Sequence, residues 1–261
     1  HYGYRFDSYF YYLSGFREPE AVLVLVADEN PRSLLFCRTK DMEREIWDGF
    51  RFGPEAARET FGFDEAHPVA ELDDKLSSLL ANQPAIFHSL GYEPAWDTRV
   101  AEALNRVRAL ARSGAHAPGV VRDVRNLIDE MRLVKDASEI ATMRRAAEIS
   151  AGAHRRAMGT ARPGAWEYEV EAELIHEFRR HGSQAPAYGS IVASGANACV
   201  LHYVDNDHQM QDGDLLLIDA GCELDGYASD ITRSFPVNGR FSGPQKAAYE
   251  LVLAAQAAAI A

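Results

Sequence analysis

One segment constrains this chain more than any other: Gln211-Asp-Gly-Asp-Leu-Leu-Leu-Ile-Asp-Ala-Gly-Cys-Glu-Leu-Asp-Gly-Tyr-Ala-Ser-Asp-Ile-Thr-Arg-Ser-Phe235. Leu215 to Ile218 is too apolar to be anything but a buried strand. Asp225-Gly226 is a tight-turn signal, and Tyr227 to Phe235 reads as the returning strand. Folding this hairpin about Leu224 and Asp225 sets Asp219 directly opposite Asp230. Opposed residues in a hairpin have Cβ atoms about 4.5–5.5 Å apart. Two carboxylates that close in an apolar sheet repel each other and are costly to desolvate. Three arrangements relieve that cost: one carboxylate keeps a proton, a basic group such as Arg233 pairs with them, or a cation sits between. An all-oxygen pair suits hard ions such as Mn²⁺ or Mg²⁺. Two such ions about 3.5–4 Å apart generate a hydroxide nucleophile at neutral pH.

The remainder reads as two domains of the α/β (α+β) class. With 261 residues and 28.9 kDa the chain is long enough for both. Residues 1–120 form an N-terminal α/β domain. Ala21 to Ala27 and Ser33 to Cys37 are short buried strands separated by a turn, and Ala85 to His88 is another. Leu72 to Leu80 and Ala95 to Ala111 have helical spacing, the second with Val100, Leu104, Val107 and Leu110 on one face. Alternating helices and strands predict a mixed sheet with helices against it. Gly114, Pro118 and Gly119 mark the linker. Residues 121–261 form the second domain. Asp136 and Glu139 make a capping box for its first helix, Trp166 to His181 is the next, and Ser242 with Gln245 caps the last. Strands are expected over 188–193, 198–203, 214–219 and 226–235. His202 closes the second of these, where it can donate to a substrate carbonyl.

Several function classes drop out. Lys and Arg total 27 against 39 Asp and Glu, a net charge of −12. That disfavours nucleic acid, whose binding rests on cationic neutralisation of phosphates, and it disfavours anionic membrane surfaces. No apolar run approaches the roughly 20 residues of a membrane-spanning helix. Three cysteines, Cys37, Cys199 and Cys222, form no disulfide framework and suit a reducing cytoplasm. His176 and His181 lie five apart, about 140° around a helix, and so do not make a zinc-binding pair, which needs a spacing of four. The serine-hydrolase elbow and phosphate-cradling glycine loops are absent.

Ile218-Asp-Ala-Gly221, Gly226-Tyr-Ala-Ser-Asp-Ile-Thr-Arg233 and Phe235-Pro-Val-Asn-Gly-Arg-Phe241 closely resemble the catalytic core of aminopeptidase P, the Xaa-Pro aminopeptidases of the pita-bread metallopeptidases. Tyr11-Tyr-Leu-Ser-Gly-Phe-Arg-Glu-Pro-Glu-Ala-Val22, Glu45-Ile-Trp-Asp-Gly49, Glu130-Met-Arg-Leu-Val-Lys135 and His202-Tyr203 resemble the bacterial enzymes in the same order. The resemblance spans Tyr9 to about Leu253.

It implies a creatinase-like N-terminal domain followed by the first half of a pita-bread domain. Asp219 would chelate one of two manganese ions and Asp230 would bridge both. A bridging hydroxide would attack the bond before a proline in second position. By the same resemblance His202 is the catalytic hydrogen-bonding residue, Tyr188 lines the substrate pocket, and Trp47 reaches a neighbouring subunit's site in a homo-oligomer. The family completes its site with one His and two Glu that lie beyond the matched region. The chain opens on His1 and closes inside the Ala-rich stretch from Tyr249 to Ala261, so it reads as part of a longer protein, inactive and weakly metal-binding by itself. Tyr9 stands where relatives usually carry Asp. The rival readings are a prolidase acting on Xaa-Pro dipeptides and a non-catalytic half-length binding protein.

Overall fold

The computed structural model describes residues 3–261, and the opening His1 lies outside them. The chain forms two compact units, dividing between Val134 and Lys135.

In the first unit, α1 (Ser8–Ser14) starts where the Asp7 carboxylate accepts the Phe10 N–H at 2.8 Å and stops at Gly15 in the left-handed region. Strand β1 (Val22–Val26) pairs antiparallel with β2 (Arg32–Cys37). Helices α2 (Met42–Asp48) and α3 (Gly53–Phe61) lead to β3 (Glu65–Pro68), which pairs parallel with β2. Strand β2 is central, and its alternate residues feed two cores. Leu35 and Cys37 pack with Phe16, Ala57 and Phe63, whereas Leu34 and Phe36 pack with Val26 and Leu72. A strand covered on both faces reads as a continuous apolar run, which is why Ser33 to Cys37 shows no alternation.

Helix α4 (Leu72–Leu80) packs through Leu76 and Leu80 on Val100, Leu104 and Val107 of α5 (Pro94–Ala109). Between these helices runs β4 (Ala85–His88), paired parallel with β5 (Val120–Asp123), and α6 (Arg125–Leu133) closes the unit. The parallel pairing of β5 with β4 draws residues beyond 120 into the first unit. The two compact units therefore divide at 134/135, beyond the glycines at 114 and 119.

The second unit opens with α7 (Ala137–Thr160), whose capping box is the expected Asp136–Glu139 pair, followed by α8 (Glu167–Arg180). Two short sheets follow. One contains β6 (Ala185–Pro186), the other β7 (Ile191–Ser194) and β8 (Leu215–Ala220). They are completed by β9 (Cys222–Leu224), β10 (Tyr227–Ala228) and β11 (Ile231–Pro236), giving orders β10-β9-β6 and β11-β8-β7. Leu216, Ile218 and Ala220 of β8 are buried against Ala146, Ile149 and Ala153 of α7 and Leu174 and Phe178 of α8. Leu217 and Asp219 lie on the opposite face. Helix α9 (Gly243–Ile260) carries the expected capping box from Ser242 and Gln245. Among the described residues no helix is long and apolar enough to cross a membrane.

Three expectations are corrected. Residues 198–203 are not a strand: Gly195 to Cys199 form a 3₁₀ turn and Val200 to Tyr203 are irregular, so His202 sits on a loop. The stretch at 188–193 becomes a strand only at Ile191, which leaves Tyr188 ahead of it. The return strand is broken at Ser229 and Asp230.

Candidate metal centre

The hairpin turns on Asp225 and Gly226, both at positive φ (50° and 81°), as a two-residue turn of the I′ kind requires. Tyr227 consequently pairs with Leu224, and the same register sets Thr232 opposite Asp219 and Ile231 opposite Ala220. Asp219 therefore does not face Asp230 directly. Placing the pivot at Leu224 and Asp225 is one residue early and shifts the pairing by two. A shift of two preserves the face, because side chains alternate with period two. Asp230 falls across from Gly221, diagonal to Asp219.

Gly221 makes that diagonal short. A Cβ placed on it would lie 1.7 Å from the Ser229 carbonyl oxygen and 3.0 Å from the Asp230 nitrogen. Only glycine admits backbone at that distance. The pinch is locked by a buried cluster: the Ser150 and Ser229 hydroxyls are 2.7 Å apart, and both accept the Cys222 N–H, at 3.0 and 3.1 Å. The Ser229 N–H returns a bond to the Cys222 carbonyl at 2.9 Å.

On the other side, the Ala187 N–H donates to the Gly221 carbonyl at 2.9 Å and so brings Tyr188 to the hairpin. The Tyr188 hydroxyl lies 2.5 Å from Asp219 Oδ1 and 2.9 Å from Asp230 Oδ1. One hydroxyl carries one proton, so two carboxylate oxygens converge on a single hydrogen. Burial, and then the two carboxylates, push the Tyr188 phenol well above its ordinary value and keep it protonated. Asp219 is half-buried and Asp230 is exposed, so their closeness stands on an open face rather than inside an apolar sheet.

Of the three ways to relieve the pair, the arginine is ruled out by register. Arg233 pairs with Ile218, on the face away from Asp219, and its guanidinium donates to the Thr232 carbonyl at 2.7 Å. Hard oxygen donors converging with fewer protons than acceptors fit a divalent cation. Among the described residues no group of three or more His, Cys, Asp or Glu gathers as a metal site.

The remaining expected site residues are dispersed. His202 is exposed on its loop, and Trp47 is 85% exposed on α2 in the first unit. Tyr9 donates to Asp129 at 2.8 Å, an exposed bond within the first unit. Ser150, Gly221 and Ser229, which set the hairpin, and His154 are not among the expected site residues. His154 is buried behind β8, with Nε2 3.1 Å from the Ala220 carbonyl, and burial holds its imidazole below the ordinary value. Only Gly221 had a local signal, a glycine within an apolar strand pattern.

Residues 141–261 match the model of metallopeptidase family M24, and residues 1–87 match the aminopeptidase P N-terminal domain. The chain is 48% identical over 254 residues to an Xaa-Pro aminopeptidase of Escherichia coli, covering 97% of this chain and 58% of that one. It is 46% identical to the Haemophilus influenzae Xaa-Pro aminopeptidase, covering 99% and 58%. Among solved structures, Pseudomonas aeruginosa aminopeptidase PepP superimposes with a TM-score of 0.95 at 52% identity, over 97% of this chain and 58% of that one. A zinc-substituted Escherichia coli aminopeptidase P in complex with product gives 0.93 at 48% identity, with the same coverage. The chain thus spans 58% of the length of these relatives. It carries an aminopeptidase P N-terminal domain ahead of part of an M24 pita-bread domain, the arrangement of these solved structures.

Proposed function

We propose that the complete protein is a metal-dependent aminopeptidase that releases the first residue from peptides with proline in second position, and that manganese is its ion. The observation that carries this reading is the convergence of Asp219 and Asp230 on the Tyr188 hydroxyl, in a chain whose relatives are named Xaa-Pro aminopeptidases. Asp219 and Asp230 would hold the ions. When bound, such ions polarise a scissile carbonyl and supply a hydroxide nucleophile at neutral pH. Tyr188, kept protonated, orients the two carboxylates and lines the substrate pocket. His202, exposed and with no hydrogen-bond partner among the described residues, is placed to donate to a substrate carbonyl or to its oxyanion.

Trp47, exposed on α2, is the residue we assign to a neighbouring subunit's substrate site in a homo-oligomer. Three free cysteines support a reducing, cytoplasmic setting. With two carboxylates and no third ligand among the described residues, residues 1–261 alone hold ions weakly and turn over no peptide.

The test is product analysis of the complete protein, with and without Mn²⁺, on an Xaa-Pro dipeptide and on a longer Xaa-Pro-Xaa peptide. Metal-dependent release of the first residue from the longer peptide is expected. Cleavage of the dipeptide alone would make the protein a prolidase, and cleavage of neither would end the reading.

A further inference from the structure

Glu167 opens α8 and is fully buried, yet it is a carboxylate. Its Oε1 accepts the Ser194 N–H at 2.6 Å, the Ser194 hydroxyl at 2.7 Å and the Asn197 side-chain amide at 3.4 Å. Its Oε2 accepts the Tyr203 hydroxyl at 2.7 Å and the His208 N–H at 3.0 Å. Burial by itself raises a carboxyl, but these donors outweigh it and hold Glu167 below the ordinary range. A charged group is tolerated in an interior when its acceptor positions are filled in this way.

The five donors come from both sides of one loop. Ser194 and Asn197 precede it; Tyr203 and His208 follow. Between them Leu201 is 90% exposed and His202 is open to solvent. A second fastening lies at Asn206, buried and in the left-handed region at φ 48°. Its side chain accepts the Val192 N–H at 2.9 Å and donates to the Ser190 carbonyl at 2.8 Å, satisfying backbone groups along the outer edge of β7. The loop also has a definite seat. Tyr203 packs with Ile191, Ala193 and Leu217; Ile191 is the register partner of Asp219, and Leu217 shares its face. The loop therefore covers the side of the sheet that presents Asp219.

We propose that Glu167 is the positioning residue of this site: by clamping the loop from both ends it fixes where the His202 ring stands on the Asp219 face. What His202 does there rests on the peptidase reading above. Glu167 touches neither substrate nor metal, and no side chain other than a carboxylate takes donors on two oxygens from opposite directions without a proton of its own.

The test compares the complete wild-type protein with Glu167→Gln and Tyr203→Phe by backbone hydrogen exchange, metal content, and kcat and KM on an Xaa-Pro-Xaa peptide. Glu167→Gln puts an amide where two donors already point. Exchange of residues 197–208 should accelerate about tenfold, with β8 unaffected and metal content unchanged. kcat should fall about tenfold to a hundredfold with KM within about twofold. Tyr203→Phe removes one donor of five and no apolar volume, so it should give a smaller change of the same kind. Unchanged exchange over 197–208 in both variants would overturn the proposal. So would acceleration spread evenly through α7 and β8 with loss of metal, which marks a merely structural residue. If the wild type cleaves no Xaa-Pro peptide, the peptidase reading fails separately. The exchange data still decide the clamp: acceleration confined to the loop supports it, and none refutes it.

Discussion

Replacing Gly221 by alanine should damage this protein more than its chemical size suggests. The added methyl would stand 1.7 Å from the Ser229 carbonyl oxygen and 2.4 Å from its carbon, both backbone atoms. A carbon–oxygen contact relaxes near about 3.3 Å, so the Ser229 carbonyl must retreat by roughly 1.5 Å. That retreat breaks the Ser229 N–H bond to the Cys222 carbonyl and pulls the Ser229 hydroxyl from the Cys222 N–H, at 2.9 and 3.1 Å in a fully buried setting. A buried donor left unsatisfied costs about 1–3 kcal/mol, and overpacking adds about 1–3 kcal/mol. Gly221→Ala should therefore destabilise the second unit by about 2–6 kcal/mol. Because Asp230 follows Ser229 directly, affinity for divalent cations should also fall about tenfold or more. Urea unfolding followed by circular dichroism gives the first quantity and a Mn²⁺ titration the second. A loss below about 1 kcal/mol with unchanged metal affinity would refute the close approach and its role in placing Asp230.

Tyr188→Phe leaves Asp219 and Asp230 without their shared donor. The metal-free protein should lose about 1–2 kcal/mol, and saturating Mn²⁺ should restore most of it; equal losses with and without the ion in thermal melts would contradict this. Ser150→Ala removes one of the two hydroxyls that accept the Cys222 N–H and should cost about 1–2 kcal/mol with no change in metal content, read by urea unfolding and elemental analysis. Acid should weaken the second unit through Glu167. Its folded-state value lies below the ordinary 4.5, so its contribution is present above about pH 4.5 and is lost as pH falls through that lower value. The difference in urea midpoint between wild type and Glu167→Gln should accordingly shrink from pH 7 to pH 3; a constant difference would contradict the assignment.

Local chemistry made much of this fold legible. The Asp136–Glu139 and Ser242–Gln245 capping boxes mark two helix starts because each uses a side chain and a backbone N–H three residues apart. The Asp225-Gly226 turn is equally plain, but the register differs by two from the one it suggests, since the pivot depends on which residues take positive φ. Asp219 and Asp230 still share a face because a shift of two residues preserves it. The stretch at 198–203 reads as a strand by composition, but Glu167 takes Ser194, Asn197 and Tyr203 as donors and bends it into a 3₁₀ turn and loop. Nothing near Glu167 in the sequence announces that role, because its partners lie 27 to 41 residues away. The pairing of β5 with β4, which carries residues past 120 into the first compact unit, is likewise not encoded near Gly119.

The central claim is that Asp219 and Asp230 are metal ligands brought together by one tyrosine and one glycine. Metal content of the complete protein after dialysis against Mn²⁺, measured for wild type, Asp219→Asn and Asp230→Asn, tests it most directly. Bound ion in the wild type, and its loss in both variants while circular dichroism stays native, is the predicted result. Equal metal content in all three proteins would contradict it.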